Sequence, residues 1–216
     1  MKDNAKNNTT ELVFILDKSG SMAGLESDTV GGFNAMIEKQ KAQEGVMYVS
    51  TLLFANQTET LHDRKAITEI SPLTQKDYQV GGCTALLDAL GKGIEHISTI
   101  HKYARTEDVP QKTMFIITTD GMENASRSYT KEQIKEMIHQ KEGLGWEFLF
   151  VAANIDAVAT AESIGIRRER AANYNVREDT KVLYEEVCES ISSFRANRPI
   201  DADWGVNLEK RLRTRK

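Results

Sequence analysis

The sequence predicts an α/β domain: a doubly wound, mostly parallel sheet with one antiparallel edge strand and helices on both faces. Two observations carry this. Short uninterrupted apolar runs recur, such as Leu12-Val13-Phe14-Ile15-Leu16 and Met114-Phe115-Ile116-Ile117. Runs of that length, rich in β-formers, suit strands buried on both faces. Between them lie longer segments whose apolar residues recur at helical spacing. Strand and helix alternating in this way build a parallel sheet covered on both sides, and the ligand sites of such sheets lie at the carboxyl ends of the strands.

The elements follow in order. Residues 1–10 are polar and form a flexible lead. The run 12–16 is the first strand; it ends at Asp17 and opens into a Gly/Ser turn. A helix from Glu26 to Gln43 carries Val30, Phe33, Met36 and Ile37 on one stripe, and Gly45 closes it. Met47–Phe54 is a strand, and Thr58–His62 its hairpin partner at a sheet edge. Residues 63–82 form a connector with Pro72 and the pair Gly81-Gly82. A second helix, Ala85–Tyr103, buries Leu86, Leu90, Ile94 and Ile97.

Thr113–Thr119 is the next strand and ends at Asp120-Gly121. Thr130 and Gln133 have the spacing of a capping box, which starts a third helix with Ile134, Met137 and Ile138 inward. Trp146–Ala153 is a strand, Ile155–Ile164 a short helix and Ala171–Tyr174 a short strand. A last helix, Glu178–Arg195, sets Leu183, Val187, Ile191 and Phe194 in one stripe. The domain therefore spans residues 11–196, and residues 197–216 read as a C-terminal basic tail, with five basic side chains between Lys210 and Lys216.

Bulk properties narrow the function. The chain has 216 residues, 40% hydrophobic and 28% charged, with a formal net charge of -4. That is the composition of one globular domain, and the acidic balance argues against nucleic acid as the partner. Cys83 and Cys188 suggest no disulfide framework. The polar N-terminus lacks the apolar core of a secretory signal, and no apolar run reaches the ~18 residues of a membrane span. A cytoplasmic location is the expectation.

The strand-end loops hold a specific set of oxygen groups. Asp17, Ser19 and Ser21 come from the first, Thr84 from the entrance to the second helix, and Asp120 from Thr-Thr-Asp-Gly. Hard oxygen donors suit Mg²⁺, Mn²⁺ or Ca²⁺, and Mg²⁺ is the first choice because it is abundant in cells. In a turn after a strand, residues i, i+2 and i+4 can bend around one point, and Gly20 lets the backbone turn tightly between the serines. Two carboxylates nearly neutralise a divalent ion, while hydroxyls add no charge. Lys18, Met22, Cys83, Glu123 and Asn124 flank these positions and are expected at the rim of a partner-binding surface, with Cys83 a small residue packed beside Thr84. Asp88 is expected as a capping or solvated residue, and the four histidines show no metal-ligand spacing.

Asp17-Lys18-Ser19-Gly20-Ser21, with Gly-Gly-Cys-Thr84 and Thr-Asp120-Gly following in order, resembles the metal-ion-dependent adhesion site of von Willebrand factor A domains. The resemblance covers residues 11–195 and is nearest to stand-alone bacterial members. It implies a Rossmann-like fold, direct metal ligation by Ser19, Ser21 and Thr84, and ligation by Asp17 and Asp120 partly through water. It also implies a protein partner whose Asp or Glu carboxylate completes the metal shell. The function expected is thus non-enzymatic, metal-dependent protein binding. The alternative is a Mg²⁺-dependent phosphatase or phosphoryl-transfer enzyme. Against it stands Ser19, where phosphatases of the haloacid dehalogenase type place a second Asp, and a general acid or base is hard to name. A structural or assembly role through helices and tail is a third reading, told apart by whether association survives a chelator.

Overall fold

The computed structural model describes residues 8–208, and of 176–179 the backbone alone. The strands are β1 (Thr9–Asp17), β2 (Val46–Phe54), β3 (Thr58–Ala66), β4 (Lys112–Thr119), β5 (Glu147–Ala152) and β6 (Ala171–Asn173). The helices are α1 (Glu26–Lys41), α2 (Leu86–Tyr103), α3 (Lys131–Glu142), α4 (Ala157–Ser163) and α5 (Val176–Arg195). The strands form one sheet in the order β3-β2-β1-β4-β5-β6. Among the described residues only the β2–β3 pair is antiparallel; β1 runs parallel to β2 and β4, and β5 parallel to β4 and β6. The expected fold class is the one observed.

Alternation along β1 divides the core. Leu12, Phe14 and Leu16 face the layer that holds Phe33, Met36 and Ile37 of α1 and Leu183, Val187 and Ile191 of α5. Val13 and Ile15 face the opposite layer, with Leu86, Leu90, Ile94 and Ile97 of α2, Ile134 and Ile138 of α3, and Ala157 and Ala161 of α4. Each fully buried aliphatic or aromatic side chain contributes roughly 1.5–3 kcal/mol. A strand buried on both faces therefore anchors the whole sheet, and it delivers Asp17 to a fixed point.

On the first face α1 and α5 meet closely. A Cβ on Gly32 would lie 2.1 Å from the Tyr184 ring, so α5 can seat Tyr184 only against a residue without a side chain. At the far end the buried Arg195 donates to the carbonyls of Gln40, Gln43, Glu44 and Gly45 and to the Gln40 side chain. A helix C-terminus is partly negative, and the guanidinium from α5 sits there, binding Gln40 in the last turn of α1 and the three carbonyls of the turn that follows it.

Several boundaries differ from the sequence reading. β1 begins at Thr9, inside the expected lead, because Thr9 and Thr10 are buried and extend the pairing with β2. β3 continues through the charged stretch Asp63-Arg64-Lys65 to Ala66, which an edge strand tolerates on its open face. The connector is no loose loop, since Ile67, Ile70, Leu73 and Tyr78 are buried. The expected tail also needs correction up to Leu208. Ile200, Trp204 and Leu208 are buried in the first layer, and Trp204 Nε1 donates to the Glu169 carbonyl at 3.0 Å. Their i, i+4, i+8 spacing was the available signal. The basic residues from Lys210 to Lys216 lie outside the described residues.

Candidate metal centre

With β1 flanked by β2 on one side and β4 on the other, the connections leave in opposite directions at the carboxyl ends of β1 and β4. This is the crevice where open α/β sheets hold ligands. Asp17 ends β1, and Asp120 follows the last residue of β4.

Asp17 is fully buried and held on both carboxylate oxygens. Oδ1 accepts the Ser19 N–H at 2.7 Å, and Oδ2 accepts the Thr119 hydroxyl at 2.6 Å. The buried Tyr78 hydroxyl donates to its carbonyl from the connector. Ser19 Oγ and Ser21 Oγ lie 3.1 Å apart. Gly20–Met22 form a single 3₁₀ turn, so the loop curls after β1.

Two further loops are tied to this one. Gly20 N–H donates to Gly82 O at 3.0 Å, and Gly81 N–H to Lys18 O at 2.9 Å. These bonds carry the neighbouring Thr84, itself buried, toward the first loop. Thr84 N–H donates to Asn124 Oδ1 at 2.9 Å, and Asn124 N–H returns to Thr84 O at 3.1 Å. The convergence is visible at Gly121. A Cβ placed there would sit 2.9 Å from Thr84 Oγ1 and 3.1 Å from Ser21 Oγ. Glycine is required because the main chain after Asp120 passes directly over both hydroxyls.

Asp120 is buried, and its Oδ1 has no hydrogen-bond partner among the described residues. Burial raises its carboxyl above the ordinary carboxylate range, and the nearby Asp17 charge acts in the same direction. Hydrogen bonds with Ser21 and Asn154 pull the other way. A buried, unpartnered carboxylate oxygen carries a desolvation cost, which a cation would relieve. The donor set of two carboxylates and three hydroxyls fits a hard divalent ion in chemistry and in charge. Among the described residues no three His, Cys, Asp or Glu side chains come together, so any centre here is rich in hydroxyls.

The rim departs from expectation. Lys18 is ion-paired with Glu59 at 2.6 Å. Met22 is a core residue, turned inward by the 3₁₀ turn into the α1 layer, and it does not line a rim. Glu123 turns back on its own chain: its carboxylate accepts N–H groups of Leu87, Ala125 and Ser126 and the Ser126 hydroxyl. Cys83 is exposed, not packed beside Thr84, because its N–H is drawn to Asn56 Oδ1 at 2.8 Å. Asp88, in the first turn of α2, holds the loop before α3, accepting N–H bonds from Arg127, Ser128 and Tyr129. Partial burial works against ionisation there, but these bonds outweigh it and lower its pKa. Thr119, Tyr78 and Asn154 were missed. Thr119 had a signal in its position before Asp120 at the strand end; Tyr78, in the middle of a polar connector, had none.

The chain belongs to the family described as VWA domain containing CoxE-like protein, which matches residues 2–158. Among curated proteins, none matches. Solved structures agree in fold. Proximal thread matrix protein 1 from the mussel byssus, solved with a zinc-occupied MIDAS motif, superposes with a TM-score of 0.56 at 14% identity, covering 83% of this chain and 46% of that one. A mutant of the PilB minor pilin from Streptococcus sanguinis gives 0.59 at 12% identity, covering 88% and 64%. A von Willebrand factor type A protein from Catenulispora acidiphila gives 0.53 at 12%, covering 84% and 42%. This chain thus spans about half the length of most of these relatives, and at such identities the likeness shows the fold alone.

Proposed function

We propose that this chain is a metal-dependent protein-binding module. Asp17, Ser19, Ser21, Thr84 and Asp120 hold one divalent cation, Mg²⁺ first and Mn²⁺ or Ca²⁺ as alternatives, and a Glu or Asp of a partner protein joins the same centre. When bound, the cation supplies a positive coordination position for that carboxylate. The protein's own groups do the rest. Asp17 and Asp120 balance the charge, the three hydroxyls add neutral donors, and Thr119 and Tyr78 hold Asp17 in place. The observation that carries this reading is the buried, unpartnered Oδ1 of Asp120 beside the hydroxyls of Ser21 and Thr84. The role is binding without catalysis. The phosphoryl-transfer alternative gains no support, since Ser19 faces Ser21 where that chemistry wants an acid.

Calorimetric titration of chelator-stripped protein with each of the three ions, beside Asp17→Ala, tests it. One-site binding lost in the variant supports the assignment. Equal binding in folded wild-type and variant protein would sink it.

A further inference from the structure

Three polar side chains flanking this centre are engaged within the fold. The Lys18 ammonium is held by Glu59 at 2.6 Å. Both oxygens of Glu123 are taken by backbone N–H groups and Ser126. Asn124 uses its side-chain carbonyl on Thr84 N–H. Met122 behaves differently. It stands two residues after Asp120, next to the glycine that overlies Ser21 and Thr84, and it is 73% exposed.

We infer that Met122 is the selectivity contact of this surface, and that the partner segment carries an apolar side chain immediately beside its metal-seeking Glu or Asp. This rests on the metal-dependent reading above. A lone exposed apolar residue on an ordinary surface is unremarkable. Here it borders a position that attracts one carboxylate, and a partner seated on that position must cover it. A methionine thioether is unbranched and polarizable, so it adapts to aliphatic or aromatic neighbours. A second acid on the partner would find the Lys18 ammonium already taken by Glu59 and would meet the Glu123 carboxylate, whereas an apolar side chain would bury Met122.

The test uses an array of short synthetic peptides, each with a central Glu or Asp in a Gly/Ser background. The residue on either side is varied through Leu, Phe, Ser, Lys and Glu. The labelled full chain is applied with Mg²⁺ and again with chelator, as wild type and as Met122→Ser. The expected result is chelator-sensitive binding, strongest with Leu or Phe beside the acid. Met122→Ser should bring those peptides down about tenfold, to the level of Ser-flanked ones, the scale of one buried apolar side chain. Its Mg²⁺ titration should be unchanged. Chelator-sensitive binding that ignores the flanking residue, or is the same in Met122→Ser, overturns this inference and leaves the metal-dependent reading standing. Binding that ignores chelator, or no binding to any acidic peptide, counts against that reading and removes this inference with it.

Discussion

Thr119 reaches across from β4 to β1 and donates its hydroxyl to Asp17 Oδ2 at 2.6 Å, so the two central strands are joined at their carboxyl ends by a side-chain bond. Groups that orient a ligand are worth nearly as much as the ligand. Thr119→Val keeps the shape and the β-branched stem but removes the donor. Mg²⁺ affinity should fall about 10–100-fold, the range for losing an orienting partner. Isothermal titration of the two proteins decides it, and unchanged affinity would show that Asp17 needs no such support.

Gly121→Ala places a methyl group 2.9 Å from Thr84 Oγ1 and 3.1 Å from Ser21 Oγ. The loop must shift or the hydroxyls must part, and either disperses the donors. Metal binding should be lost while the far-ultraviolet circular dichroism and the cooperativity of unfolding persist. Full metal affinity in this variant would mean that the hydroxyls of Ser21 and Thr84 do not act together.

Mg²⁺ itself should stabilise the fold. An ion that binds only the native state adds about 2.7 kcal/mol at a hundredfold excess over its dissociation constant. Melting temperature measured against Mg²⁺ should climb for the wild type and stay flat for Asp17→Ala.

Arg195→Met should cost about 2–4 kcal/mol in urea unfolding, because it strips one buried side chain of its bonds to four carbonyls in the last turn of α1 and the turn after it. Arg195→Lys should recover only part of this, since an ammonium cannot reproduce a planar fork of donors. Metal affinity, read in parallel, should change far less than stability.

His62 sets a pH dependence of stability. Burial lowers its pKa below 6.5, Lys65 lowers it further and Asp77 opposes them. The folded chain therefore holds its proton less readily than the unfolded chain. As pH falls below 6.5 the unfolded state takes up a proton first, and stability declines until the folded pKa is passed. Above 6.5 this contribution is fully present. Urea midpoints of wild type and His62→Gln between pH 7 and pH 5 should diverge in that sense (the variant being flatter); parallel curves would exclude His62 as the source.

The sheet was legible because its centre is written in residues that leave little choice. Phe14 and Met114 lie in runs too short for a helix and too apolar for a loop. The capping box at Thr130 and Gln133 was legible for a similar reason: both halves of the motif are present and both bonds form. The loop after β1 could be singled out by spacing, since Asp17, Ser19 and Ser21 are local in sequence. What surrounds them could not. Glu123 points inward because of amide groups on α2 and in its own loop, and Met22 is buried by a single turn whose direction residue type does not dictate. Tyr78 acts on Asp17 from sixty-one positions away, and nothing in the polar connector forecasts that meeting.

The two ends of the sheet differ in a way that bears on handling this protein. One edge is β6, only three residues long; the other is β3, which carries Glu59, Asp63, Arg64 and Lys65. Neither offers the long, uncharged ladder of free N–H and C=O groups that recruits a stray strand. Concentrated stocks should therefore resist edge-to-edge association while folded. The very apolar central strands, harmless inside the sheet, become the adhesive segments once the chain opens. Losses on storage would then follow the rate of unfolding more than the properties of the native surface.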